Sequence, residues 1–260
     1  MIDVPLTQRR LVVQTSAMSA ITIEYDRPYG RTANPDCCFD IYRPSTGNGE
    51  LLPGVVFVSG YPDAPGEALF GCKLKQWRCY CDWARLLASH GLVALTYSNQ
   101  QPWRDACGLL DHISNNAAAL GIDPNRIGLW ACSGNGPVAW ALMDRFNQLR
   151  CAALCYPYIS DLPGHDEVAR AATQFGFEVP RTEPWQSQSP LLLCRAGEDA
   201  MPGLNASLDR FITLARPNHW PVELLDVPNA DHAFDTAQPD AAACTAVAAI
   251  AEFFLKNLCR

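Results

Sequence analysis

Ser133 lies in the run Gly128-Leu-Trp-Ala-Cys-Ser-Gly-Asn-Gly136, where apolar residues give way to a glycine-rich turn. A serine hydroxyl becomes a useful nucleophile only when a base takes its proton and fixed donors meet the charge that develops. A tight strand-to-helix turn suits that task. It strains the serine backbone, projects the hydroxyl and aims the following N–H groups at one point. Residues two before and two after such a serine must be small, because the two backbones approach closely. Ala131 satisfies this, and Asn135 does so only in part, although Gly134 and Gly136 flank it. A plainer role is available, since serine is also a favoured helix N-cap. Cys132 is a rival nucleophile, but it sits one residue early, where its thiol should point into the flank of the sheet. Five histidines, at 90, 112, 165, 219 and 232, could supply the base, and the adjacent Glu198 and Asp199 could orient it.

Those residues need a scaffold, and the chain alternates apolar runs with amphipathic stretches from about residue 50 onward. Strands are expected at 51–58, 92–97, 126–132, 151–156, 191–195 and 222–227. Helices are expected at 77–89, 104–120, 134–147, 204–215 and 241–258, the second ending at Gly121. Short continuous apolar strands separated by helices indicate a mostly parallel sheet with both faces covered. Residues 22–25 and 38–43 add a strand pair at the front, giving about eight strands in one α/β domain spanning 1–260. Residues 157–188 break the alternation around a short helical piece at 167–175. A connection that long inside a compact domain is usually functional, so it is expected to form a small cap over the site.

The run from Leu120 to Gly136, Leu-Gly-Ile-Asp-Pro-Asn-Arg-Ile-Gly-Leu-Trp-Ala-Cys-Ser-Gly-Asn-Gly, resembles the nucleophile region of α/β hydrolases, particularly the dienelactone hydrolase and esterase branch. Its usual G-x-S-x-G becomes Ala131-Cys-Ser133-Gly-Asn135. The run Val227-Pro-Asn-Ala-Asp-His-Ala-Phe-Asp235 is similar to the family's small-x-His-x-Phe-Asp ending. The resemblance implies the α/β-hydrolase fold, with the nucleophile, acid and base arriving in that chain order. It makes Ser133 the nucleophile and His232, after the last strand, the base. The acid should follow the strand at 191–195. Asp199 is preferred to Glu198 because a shorter acid reaches the imidazole with fewer rotors. Either could instead be a solvated loop charge. Two backbone donors should face the oxyanion, Gly134 N–H and an N–H from Ser59-Gly-Tyr-Pro-Asp63, where related esterases carry His-Gly-Gly. Tyr61 N–H is the expected second donor, since Pro62 has none.

Composition excludes several classes. Hydrophobic residues make up 48% of the 260, and charged residues 18%, below the soluble average of roughly 25%. The balance of 20 basic to 27 acidic residues gives −7, which repels phosphate backbones and anionic lipid, so nucleic acid is not an expected partner. No apolar run approaches the roughly 20 residues needed to span a bilayer, and no signal-peptide pattern opens the chain, so no membrane partner is expected. The 12 cysteines contain no C-x-x-C pair and several sit in apolar runs, which reads as free thiols in a reducing cytoplasm. Asp231, His232 and Asp235 would be a weak metal set, with a single histidine. No cofactor or metal is expected.

The expected partner is a small or medium ester, hydrolysed through an acyl-enzyme; a homodimer stays open. Tyr61, Tyr97, Trp103, Tyr156 and Trp185 could line an apolar pocket, though each could equally be core. A peptidase or amidase on the same triad, and a non-catalytic hydrolase-fold binding protein, are the alternatives.

Overall fold

Alternate residues of the central strands point to opposite faces, and both faces are apolar, so the sheet must be covered twice. The computed structural model, which describes residues 4–29, 37–45, 49–181, 187–236 and 239–259, shows this arrangement. Its strands are β1 (Ile21–Pro28), β2 (Cys38–Pro44), β3 (Leu52–Phe57), β4 (Val93–Tyr97), β5 (Ile122–Cys132), β6 (Leu149–Cys155), β7 (Leu191–Ala196) and β8 (Val222–Val227). They form one eight-stranded sheet in the order β1-β2-β4-β3-β5-β6-β7-β8. Only the β1–β2 and β2–β4 pairings are antiparallel, so β2 alone runs against the others. The sheet is therefore mixed, with a parallel run from β4 to β8.

The helices are α1 (Asp63–Phe70), α2 (Arg78–Ser89), α3 (Pro102–Asn116), α4 (Gly136–Arg145), α5 (Glu167–Phe175), α6 (Leu204–Ala215) and α7 (Ala241–Leu258). One face of the sheet packs against α3, α4 and α6 through residues such as Leu109, Leu142 and Phe211. The other packs against α2 and α7 through Trp83, Val247 and Phe254. Leu129 and Trp130 show the alternation directly, the first on one side and the second on the other.

Several boundaries move for identifiable reasons. Helix α3 starts two residues early because Pro102 is pre-organised for a first turn, and it ends at Asn116 rather than at 120. Ser133–Asn135 forms a 3₁₀ turn before α4, which begins at Gly136 rather than 134. Helix α1 was not expected at all. Helix α7 corrects the membrane expectation in one respect. Its 18 residues, with mean hydropathy 1.4, are long and apolar enough by composition alone to cross a bilayer. Here its buried face lies on β5 to β8. The N-terminal arm is also anchored, with Arg10 on Asp82 at 2.9 Å and Val12 N–H on Asp235 O at 2.8 Å.

Candidate active site

The C-terminal ends of β5, β7 and β8 lie on the same edge of a parallel sheet, so the loops that follow them converge there. Ser133 follows β5 directly and has φ +53, a left-handed conformation that a non-glycine residue adopts only where the surroundings impose it. Asp199 follows β7 and His232 follows β8. His232 Nδ1 lies 2.6 Å from Asp199 Oδ2, and the Asp199 side chain is completely buried. Asp199 Oδ1 accepts the Met201 N–H at 2.9 Å, which fixes the carboxylate plane. Glu198, its neighbour, is exposed. The structure thus brings Asp199, not Glu198, to the imidazole.

The elbow is held by close backbone contacts. A Cβ on Gly136 would come within 2.0 Å of Tyr158 O, and one on Gly60 within 2.5 Å of Gly134 O. Only glycine lets the β3 loop and the β6 loop approach the turn so closely. Tyr158 N–H donates to Ser133 O at 3.1 Å. Asn135, the departure from the motif, stitches these parts together. Its Oδ1 accepts the Gly60 N–H at 2.7 Å, and its Nδ2 donates to Tyr80 Oη at 2.8 Å and Cys132 O at 2.9 Å. A glycine could make none of these bonds. Among the described residues, neither the Gly134 nor the Tyr61 N–H donates to another backbone group.

Cys132 does not compete. Its Sγ sits 3.3 Å from Tyr80 Oη, and burial pushes the thiol up to about 12, so it keeps its proton at neutral pH. The remaining histidines lie elsewhere: His90 caps α2, His112 tilts against Phe39, His165 is 3.7 Å from Glu167, and His219 is an exposed turn residue. Asp235 turns inward, accepting from Tyr156 Oη at 2.6 Å and Trp83 Nε1 at 2.7 Å, away from any set shared with Asp231. All twelve cysteines are free thiols.

The expected pocket aromatics divide. Tyr156 packs edge-on to His232 at 4.8 Å. Tyr97 lies beneath the β3 loop, its hydroxyl 3.1 Å from Ser59 N. Trp103 lies in the first turn of α3, partly buried against the core, and Trp185 falls outside the described residues. Sequence reasoning missed Phe177, which sits over Gly134 and packs edge-on to Tyr61 at 5.8 Å. Two contacts bind its segment across the site. Glu178 N–H donates to Gly60 O at 2.8 Å, and Glu178 Oε2 accepts from Trp103 N–H at 2.9 Å.

The sheet order, the strained serine and the His–Asp pair define the α/β-hydrolase fold, and comparison with solved structures agrees. A bacterial heroin esterase superposes with TM-score 0.70 at 14% identity, over 95% of this chain and 87% of that one. Esterase LipW from Mycobacterium marinum gives 0.69 at 16%, over 92% and 82%. Esterase Est22 gives 0.67 at 18%, over 91% and 81%. At these identities the likeness establishes the fold. It does not single out the dienelactone hydrolase branch. No protein-family model matches the chain, and no curated protein matches it by sequence.

Proposed function

We propose that this protein is a serine hydrolase that cleaves a carboxylic ester of a small or medium substrate through an acyl-enzyme. The observation that carries this reading is the His232–Asp199 contact of 2.6 Å on the same sheet edge as a serine held at φ +53. The esterase names of the structural neighbours support the same choice.

The geometry supports the following steps. With Nδ1–H donating to Asp199, His232 Nε2 keeps its lone pair for the Ser133 proton. Ser133 Oγ bonds to the ester carbon as its proton passes to Nε2, and the carbonyl electrons move onto oxygen. Gly134 N–H and Tyr61 face that oxyanion. His232 returns the proton to the leaving alcohol as the C–O bond breaks, and water then repeats the sequence on the acyl-enzyme. Residues 157–188 are read as the cap, of which 182–186 lie outside the described residues, and Phe177 walls the site.

A fluorophosphonate probe with adduct mapping by mass spectrometry tests this. Wild type should label at Ser133, and Ser133→Ala should neither label nor turn over, with kcat lower by on the order of 10⁶-fold. Labelling that persists in Ser133→Ala would sink the mechanism. Aryl esters of rising acyl length beside an aminoacyl anilide separate an esterase from an amidase.

A further inference from the structure

Tyr61 approaches the elbow with its side chain. A Cβ on Gly134 would lie 2.3 Å from Tyr61 Oη, so the hydroxyl oxygen rests directly over that glycine. From there it meets both the Ser133 side chain and the Gly134 N–H, and each acts on the phenol. The ring is fixed in this pose. It packs edge-on to Phe177, which stacks on Tyr158 at 5.2 Å and 26°. Tyr158 Oη is itself tied to Pro202 O at 2.8 Å. At the other end of Tyr61, its carbonyl accepts from Ser59 Oγ and Asn99 Nδ2, both at 3.1 Å. A tyrosine's hydroxyl lies a full ring away from its own N–H, so the two cannot converge on one oxygen. The hydroxyl is the end that shares the elbow with Gly134 N–H.

We infer that Tyr61 serves the oxyanion through its phenol O–H, paired with the Gly134 N–H, rather than through its own backbone N–H. This rests on the serine-hydrolase reading above and deepens it. Burial pushes the phenol up, so it holds its proton throughout the working pH range. In the transition state it donates a hydrogen bond to the carbonyl oxygen without giving the proton up. The bond from Ser133 Oγ to carbon forms, the carbonyl electrons shift to oxygen, and the only proton transferred goes to His232. The absence of a side chain at Gly134 has a matching reason, because any Cβ would displace this hydroxyl. The nearby phenyl of Phe177 keeps it from swinging outward.

Tyr61→Phe removes one oxygen and keeps the ring, its edge contact with Phe177 and the backbone N–H. Steady-state hydrolysis of p-nitrophenyl acetate should show kcat lower by about 10²–10³-fold with KM little changed. Affinity for an aryl trifluoromethyl ketone, which forms a tetrahedral adduct, should weaken in step, while the thermal midpoint stays near that of wild type. An unchanged kcat would return the role to the Tyr61 N–H and overturn the inference. A raised kcat would show that the hydroxyl blocks the oxyanion site, and would overturn it equally. Wild type that neither labels with fluorophosphonate nor turns over would remove the serine-hydrolase reading itself, and this one with it.

Discussion

Asn135→Gly would restore the glycine of the G-x-S-x-G pattern, yet the structure predicts damage. Asn135 is 2% exposed and makes three bonds around Ser133, to Gly60, Tyr80 and Cys132. Without the side chain, the buried Gly60 N–H loses its acceptor, at a cost of about 1–3 kcal/mol. The bonds to Tyr80 Oη and Cys132 O are lost as well, each worth about 0.5–1.5 kcal/mol net. Position 135 has helical backbone angles, φ −83 and ψ −15, so added chain freedom in the unfolded state costs about 0.5–1 kcal/mol more. A water entering the vacated space would recover part of this, leaving a destabilisation of roughly 3 kcal/mol. The thermal midpoint should then fall by about 6–12 °C for a chain of this size. Activity should fall too, because Gly60 precedes Tyr61 and the proposed oxyanion loop loses its tether. A misplacement of about 1 Å at such a site can cost about 10²-fold in rate. Urea unfolding followed by tryptophan fluorescence, beside kcat on an aryl acetate, reads both effects. A variant as stable as wild type within about 0.5 kcal/mol and equally active would refute the reasoning.

Two other outcomes are expected. Cys132→Ala should keep fluorophosphonate labelling and turnover, because a thiol raised to about 12 is not the nucleophile; loss as complete as in Ser133→Ala would say otherwise. Burial raises Asp63 to about 6 from an ordinary 3.8, with one oxygen bound to Asn99 N–H at 2.9 Å and the other without a partner. A carboxyl raised in the folded state binds protons more tightly than in the unfolded chain, so stability falls as pH rises from about 4 to about 6. Asp63→Asn should match wild type near pH 4 and exceed it by up to about 3 kcal/mol at pH 7, as measured by urea unfolding at both values. A constant difference across that range would contradict the assignment.

Much of this was legible in the chain. Helices α5, α6 and α7 and strand β8 begin and end where periodicity and their flanking turns place them. The order of Ser133, Asp199 and His232 was readable because each follows a strand of the same parallel run. Direction was not: an apolar run such as β2 reports burial and says nothing of running against its neighbours. Helix α1 hid behind Pro65 and Gly66 in an eight-residue element with little buried surface. The partners of Asn135 lie 75 and 55 residues away in sequence, so a local motif could show only that the residue departs from the pattern. Phe177 sits in a stretch without periodicity. The pose of the Tyr61 ring depends on that residue, which no pattern around position 61 encodes.

The order of the site along the chain also sets when it can exist. Ser133 and its glycine turn are complete long before β8, and His232 follows the serine by 99 residues. At ribosomal speeds of about 5–20 residues per second, Ser133 emerges roughly 5–20 s before His232. On the serine-hydrolase reading proposed above, the serine then lacks its base, and Asp199 lacks the imidazole it contacts. On that reading a nascent chain is not acylated by passing esters, and ester turnover would report whether the C-terminal strand and helix have docked.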